Sequence, residues 1–323
     1  MCQPRKLNWT CTIPTGSIVG MTSRPEPPAG LFVPLITPFT DDGELDAGAL
    51  DSLARRVLDD GATGIVALGT TAEAPTLTSA ERRQVLDICA AVCAERSAPL
   101  IAGAGGNDTR SSTEALRGLA AWPQITAALV VVPYYLRPGE EGTVAHFEEL
   151  ARHTPVPLIV YNIPARTGQR VAWPAMRRIA GLPAVVGVKH SPGAVDLDTA
   201  EMMASLPEGF SVLAGDCFLM PALLALGAAG AISASAHVCT ASYAALVTAW
   251  QAADLAAARP LGHRLTALSS RLFAEPNPAV IKAVLHALGH IASPGVRLPL
   301  LPAGPSSTSA ALAAAAGLAG VAA

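Results

Sequence analysis

Eight apolar runs of strand length recur along the 323-residue chain, separated by helix-length stretches of mixed polarity, and this alternation constrains the fold more than any other feature. The runs are LFVPLIT (31–37), GIVAL (64–68), PLIAGA (99–104), ALVVVP (128–133), PLIVYN (157–162), VVGVK (185–189), SVLAG (211–215) and GAISA (230–234). Strands that are apolar throughout belong to a parallel sheet covered on both faces by crossover helices. Eight such units in about 200 residues predict an α/β fold of the (β/α)8 (TIM) barrel type rather than an open doubly wound sheet. The open sheet would carry a Gly-rich phosphate loop, and GAGGN at 103–107 lacks that spacing. Helix starts are expected at the capping residues Asp46, Ser79 and Thr109.

The predicted barrel covers 30–238, and helical stretches at 239–258, 260–274 and 278–290 predict a C-terminal helical region over 239–302. Residues 1–29 are rich in Pro, Ser, Thr and Gly without periodicity and are expected to be a disordered extension, with Met21 an alternative start. Residues 303–323 turn Ala-rich and of low complexity, expected as a frayed helix or a disordered tail.

Composition narrows the function classes. Apolar residues make up 51% and charged residues 15%, enough for a large core. A net charge of −3 without blocks of like charge leaves no footprint for nucleic acid or an anionic membrane. No apolar stretch approaches the ~20 residues of a membrane span, and no apolar run follows Arg5 and Lys6 as in a secretory signal. The six cysteines form no C-x-x-C pair and no zinc spacing. Cys89 and Cys93 are expected as buried thiols, and a reducing, cytoplasmic compartment is the simplest reading. His286 and His290 have a spacing that can bind metal, but no Glu joins them and Gly289 suggests a helix end. No metal is predicted.

Barrel chemistry gathers where strands end at their C-terminal edge. The polar residues there are Thr37, Thr70, Thr71, Glu73, Tyr134, Tyr135, Tyr161, Asn162, Lys189, Asp216 and Ser233. Of 22 basic residues only Lys6, Lys189 and Lys282 are lysines, and Lys189 ends an apolar run. Desolvation disfavours an ammonium, and a neutral amine attacks a ketone to form a Schiff base. The other reading of such a lysine is one snorkelling from a strand end to a carboxylate. Tyr161, Tyr134 and Tyr135 could relay protons with a hydroxyl such as Thr70, or simply keep their rings in the core and their hydroxyls wet. Arg166 could fork onto a substrate carboxylate or be solvated surface. Gly69-Thr70-Thr71 offers a nest for a small carboxylate. His190 could face the site or the barrel wall.

Taken together, GTTAEAPTL (69–77), VVPYYLRP (131–138), YNIPARTG (161–168), VVGVKHS (185–191), LAGD (213–216), GAAGAISASAHV (227–238) and PNPAVIKAVLHALG (276–289) resemble, in order and spacing, the dihydrodipicolinate synthase and N-acetylneuraminate lyase family. The resemblance covers roughly residues 30–302. It implies a Schiff base on Lys189, an imine oriented by Tyr161, and a proton relay through Thr70 and Tyr135, the latter reaching in from a neighbouring subunit. It also implies a pyruvate-carboxylate site at Thr71 with Thr70, an aldehyde carboxylate held by Arg166, and pocket backbone at Gly215 and Ile232. The partners implied are pyruvate and a small aldehyde, in a homotetramer built from tight dimers, with no cofactor. The double threonine, the tyrosine pair and Arg166 look like the branch that condenses pyruvate with L-aspartate semialdehyde. The runner-up is cleavage or dehydration of a 2-keto-3-deoxy acid by the same lysine, and a binding barrel without catalysis is the third reading. Ala72, His190-Ser191-Pro192 and Cys217 depart from the family pattern and are expected near the second-substrate pocket. Ser111 and Ala80-Glu81-Arg82 depart at the lysine feedback site, which predicts weak or absent inhibition by lysine.

Overall fold

The computed structural model describes residues 24–319. Eight parallel strands, β1 (Gly30–Pro34), β2 (Gly64–Ala67), β3 (Leu100–Gly103), β4 (Ile125–Val131), β5 (Leu158–Asn162), β6 (Val185–His190), β7 (Ser211–Ala214) and β8 (Gly230–Ile232), each pair with the next, and β8 pairs with β1 to close a barrel. Around it run α1 (Ala47–Asp59), α2 (Ser79–Glu95), α3 (Thr109–Gly118), α4 (Gly139–His153), α5 (Pro164–Thr167), α6 (Trp173–Ala180), α7 (Leu197–Ala204) and α8 (Met220–Ala225). Four helices follow the barrel: α9 (Thr240–Gln251), α10 (Leu255–Leu272), α11 (Ala279–Ala287) and α12 (Pro305–Ala319). All eight predicted runs are barrel strands, and no described helix is long and apolar enough to cross a membrane.

Alternation along the strands divides the core in two. Phe32, Val66, Ile101, Leu129, Ile159 and Ile232 fill the barrel, whereas Val33, Ile65, Val160 and Val188 face the helix layer. At the closing seam a Cβ on Gly230 would lie 1.9 Å from the Gly30 carbonyl oxygen, so only glycine fits. Between β5 and β6 the register slips, pairing Leu158 with Val185 but Ile159 with Gly187. Tyr161 and Lys189 are thereby register partners, with Tyr161 on the inner face.

Local chemistry corrects several boundaries. Asp46 caps α1 as expected, accepting from Ala49 N–H at 2.9 Å. The caps of α2 and α3 are Thr78 and Asp108, one residue before the expected Ser79 and Thr109. Two cap-competent residues stand in tandem there, and Glu81 selects Thr78 by closing a capping box. α10 runs through Pro260, where the sequence suggests a break. An interior proline costs about 3 kcal/mol, and burial of Ala258, Leu265, Leu268 and Leu272 offsets it.

The expectation of a frayed or disordered tail is also overturned for its described part. α12 packs on α10 and α11 with Ala311 and Leu318 buried, and Gly304 N–H donates to Glu275 at 2.9 Å just ahead of it. Alanine needs no long side chain to hold a helix, and its small surface permits close approach. Of the proposed N-terminal extension, residues 1–23, with Met21, Lys6, Cys2 and Cys11, lie outside the described residues. Arg24 is anchored, its guanidinium donating to the carbonyls of Glu208, Ala180 and Val185. Cys89 and Cys93 are free buried thiols, and burial pushes the Cys93 thiol up to about 12.

Candidate active site

Lys189 is the penultimate residue of β6, at the C-terminal end of the barrel. It is 5% exposed, and its Nζ lies 4.1 Å from the centroid of the Tyr161 ring. The inner face of β5 thus lays a phenol-bearing ring against the amine. Two strands along from β6, Ile232 ends β8 fully buried on the inner face. Just past β7, a Cβ on Gly215 would lie 3.0 Å from Lys189 Cγ and 2.0 Å from Ser191 Oγ, so glycine leaves the lysine stem its room. Asp216 follows, its carboxyl pushed up by burial against the opposing effects of the Gly193 N–H, which donates to it at 2.8 Å, and of Lys189.

Strand alternation turns the next residues away. His190 points to the helix layer, where Nε2 meets Thr199 Oγ1 of α7 at 3.1 Å. Burial pushes this imidazole down to about 4 despite Asp196 and Asp198 nearby, so it is neutral at pH 7. Of the other departures from the family pattern, Cys217 also lies in the helix layer, whereas Ala72 sits beside Thr71 in the turn after β2. Ala72 is buried, and Cys217 is packed in the outer core, its Sγ accepting from Ser233 Oγ at 3.3 Å. The side chains of His190 and Cys217 thus face the helix layer rather than the barrel interior. Ser191, beside Gly215, is the one of the group that stands next to the lysine.

After β2 the chain passes through left-handed Leu68 (φ 55°) into a 3₁₀ turn at Thr70–Ala72, ended by left-handed Glu73 (φ 54°). Thr37 Oγ1 donates to the Ala72 carbonyl at 2.7 Å, and Asn277 Nδ2 donates to Thr71 Oγ1 at 3.0 Å. Glu73 and Lys282 form an ion pair at 2.6 Å with both side chains completely buried. Glu73 also accepts from the Arg297 N–H at 2.8 Å, and Lys282 donates to the Gly295 carbonyl at 2.8 Å above the Phe39 ring. Burial pushes the Lys282 amine down to about 8 against the pull of Glu73. These C-terminal partners of the threonine turn escape the sequence reading. One signal was present: Lys282, like Lys189, is a rare lysine in an apolar run.

The remaining candidates stand on the rim. Tyr135 follows β4, is 84% exposed and has φ 67° in a three-residue turn closed by Leu136 N–H donating to the Tyr134 carbonyl at 2.7 Å. A non-glycine residue held there costs about 1–3 kcal/mol, and such strain concentrates at functional positions. Arg166 lies exposed on α5, which Pro164 opens and left-handed Gly168 (φ 69°) closes. His286 is in α11 but His290 lies beyond its end, past Gly289 (φ 74°), and among the described residues no cluster of three His, Cys, Asp or Glu side chains could hold a metal ion.

A closed parallel barrel with polar side chains gathered at the C-terminal ends of its strands defines the class of (β/α)8 enzymes. The dihydrodipicolinate synthetase family matches residues 27–316, and the chain belongs to that family. It is 40% identical over 280 residues to a 4-hydroxy-tetrahydrodipicolinate synthase of Sorangium cellulosum, covering 86% of this chain and 92% of that one. The fold superposes with a TM-score of 0.86 on the 4-hydroxy-tetrahydrodipicolinate synthase of Methylacidiphilum fumariolicum, at 31% identity over 91% of this chain and 98% of the other. A chloride-inhibited dihydrodipicolinate synthase of Acinetobacter baumannii, solved with pyruvate, gives a TM-score of 0.85 at 34% identity over 89% and 99% of the two chains.

Proposed function

We propose that this protein condenses pyruvate with L-aspartate semialdehyde to 4-hydroxy-tetrahydrodipicolinate through an imine on Lys189. The observation that carries the reading is the buried Lys189 amine against the Tyr161 ring at the catalytic end of the barrel. Lys189 Nζ attacks C2 of pyruvate, and the carbinolamine loses water to give the imine. Loss of a C3 proton leaves an enamine, whose C3 adds to the aldehyde carbon while the aldehyde oxygen takes up a proton. The amino group of the second substrate then displaces Lys189 from C2, which closes the ring and frees the lysine. The imine is itself the electron sink, so the scheme calls for no metal and no organic cofactor.

In this scheme Tyr161 orients the imine and exchanges its protons, with Thr70 and Tyr135 extending the relay. Thr71 and Thr70 hold the pyruvate carboxylate, Arg166 the carboxylate of the aldehyde, and Gly215 and Ile232 line the pocket. Tyr135 needs a second copy of the chain: within one copy it is exposed on a strained turn, and a neighbour burying it would repay that strain. This supports a homotetramer of tight dimers in which each site is completed across an interface. The similarity to chains named 4-hydroxy-tetrahydrodipicolinate synthase favours condensation over the sugar-acid reading.

The test is borohydride reduction in the presence of pyruvate. A single added mass on the peptide carrying Lys189, lost on addition of L-aspartate semialdehyde, is expected, and Lys189→Arg abolishes both label and turnover. Label on another lysine, or full turnover in Lys189→Arg, refutes the mechanism.

A further inference from the structure

The hydroxyl of a threonine has one proton to give and lone pairs to receive, and a carboxylate can only receive. For Thr71 to bind an anion, its proton must therefore point into the pocket. The only side-chain partner of Thr71 among the described residues is Asn277, whose Nδ2 donates to Thr71 Oγ1 at 3.0 Å. Asn277 is 8% exposed, its Oδ1 is buried without a partner, and it precedes α11. The reverse amide orientation would orphan both N–H donors, whereas this one orphans one N–H and the carbonyl oxygen, and buried orphan donors are the rarer and costlier case. The amide thus occupies an acceptor lobe of the hydroxyl and leaves its proton unassigned.

The rest of the turn is fixed independently of that hydroxyl. Thr37 holds the Ala72 carbonyl, and the Lys282–Glu73 pair and the Arg297 N–H hold Glu73. With the backbone clamped at these points, the Asn277 contact orients a single rotor rather than shaping the loop.

We propose that Asn277 is the positioning residue of the keto-acid carboxylate site: by donating to Thr71 Oγ1 it directs the Thr71 hydroxyl proton at the carboxylate of the first substrate. The inference rests on the proposed function, in which Thr71 meets that carboxylate. Its consequence is selectivity, because a hydroxyl locked as a donor favours a 2-keto acid over a neutral ketone of the same shape. Asn277 acts through Thr71 and touches no reacting atom.

The decisive variant is Asn277→Asp, nearly isosteric but with an acceptor facing the hydroxyl. The Thr71 proton then turns to the introduced carboxylate and away from the substrate. KM for pyruvate is expected to rise about tenfold or more, with a much smaller fall in kcat, because a charge-assisted hydrogen bond is lost. Asn277→Ala, which frees the rotor without reversing it, falls between. Borohydride trapping of pyruvate weakens in Asn277→Asp while trapping of the neutral pyruvamide does not, a split that mere loosening of the fold would not produce. Thr71→Val serves as the reference, and the double variant Asn277→Asp/Thr71→Val is expected to be no worse than Thr71→Val alone. If Thr71→Val leaves KM for pyruvate unchanged, the carboxylate site itself has been misassigned and the inference falls with it. If Thr71→Val weakens pyruvate but Asn277→Asp does not, or lowers only Tm and kcat, the positioning role alone is overturned.

Discussion

Replacing Lys282 by Met is the most informative perturbation of the scaffold behind the site. Lys282 and Glu73 pair at 2.6 Å with neither side chain exposed, and Lys282 lies 4.0 Å from the Phe39 ring centroid. Burial has already pushed the Lys282 amine down to about 8, a sign that desolvation outweighs the attraction of Glu73. At pH 7 the amine is still charged, and its depressed pKa makes stability rise with pH as the group passes from about 8 toward its ordinary value near 10.5. The intact pair is therefore no net stabiliser, but a broken pair is costly. Lys282→Met fills the space and strands the Glu73 carboxylate, a loss of about 3–5 kcal/mol. Glu73→Gln/Lys282→Met, which removes both charges, is expected within about 2 kcal/mol of the native protein for the same reason. Urea unfolding at fixed protein concentration measures the cycle, the concentration being held because assembly feeds into apparent stability. If Lys282→Met loses less than about 1 kcal/mol, or if the double variant is as unstable as the sum of the singles, the buried-charge argument is refuted.

Other predictions follow from the same geometry. His146, His190 and His237 are buried and each held down to about 4, so the unfolded chain binds protons between about 6.5 and 4 that the folded chain refuses. Stability is full above about pH 6.5 and falls on acidification by as much as roughly 3 kcal/mol per histidine, and a Tm flat from pH 7 to 4.5 would contradict this. Gly215→Ala puts a methyl 2.0 Å from Ser191 Oγ and 3.0 Å from Lys189 Cγ, so pyruvate trapping at Lys189 should fall at least about tenfold with a stability loss of about 1–3 kcal/mol. Unimpaired trapping in that variant would mean that the pocket is looser than it looks. Ser111 is an exposed residue of the first turn of α3, and Glu81 is committed to Arg297 and to the α2 cap. L-lysine is accordingly expected to inhibit weakly or not at all, and inhibition at submillimolar lysine would overturn that expectation.

Local pattern carried much of this protein. Uninterrupted apolar runs of strand length have one economical home, a parallel sheet with helices on both faces, and eight of them close into a barrel. Barrel geometry then ranks residues by position, so Lys189, Tyr161, Asn162 and Asp216 are marked by where their strands end, whereas Gly215 is marked only by the family resemblance. Rarity added the rest, since a chain with three lysines that buries one at a strand end has placed an amine where water is scarce. Other features lay beyond any such pattern. The direction of His190 depends on strand alternation counted through the β5–β6 register slip, and that slip has no local signature. The tail helix α12 carries no amphipathic stripe and is held by packing on α10 and α11. Tyr135 was marked by sequence, yet one copy of the chain leaves its ring in solvent. Above all, Asn277 meets Thr71 from 206 residues away, and Lys282 and Arg297 converge on Glu73 over similar separations. Periodicity reports which face of an element is buried, because burial repeats with the backbone. Which distant side chain lies opposite that face is settled only when the chain has closed on itself and every buried donor and acceptor must find its partner.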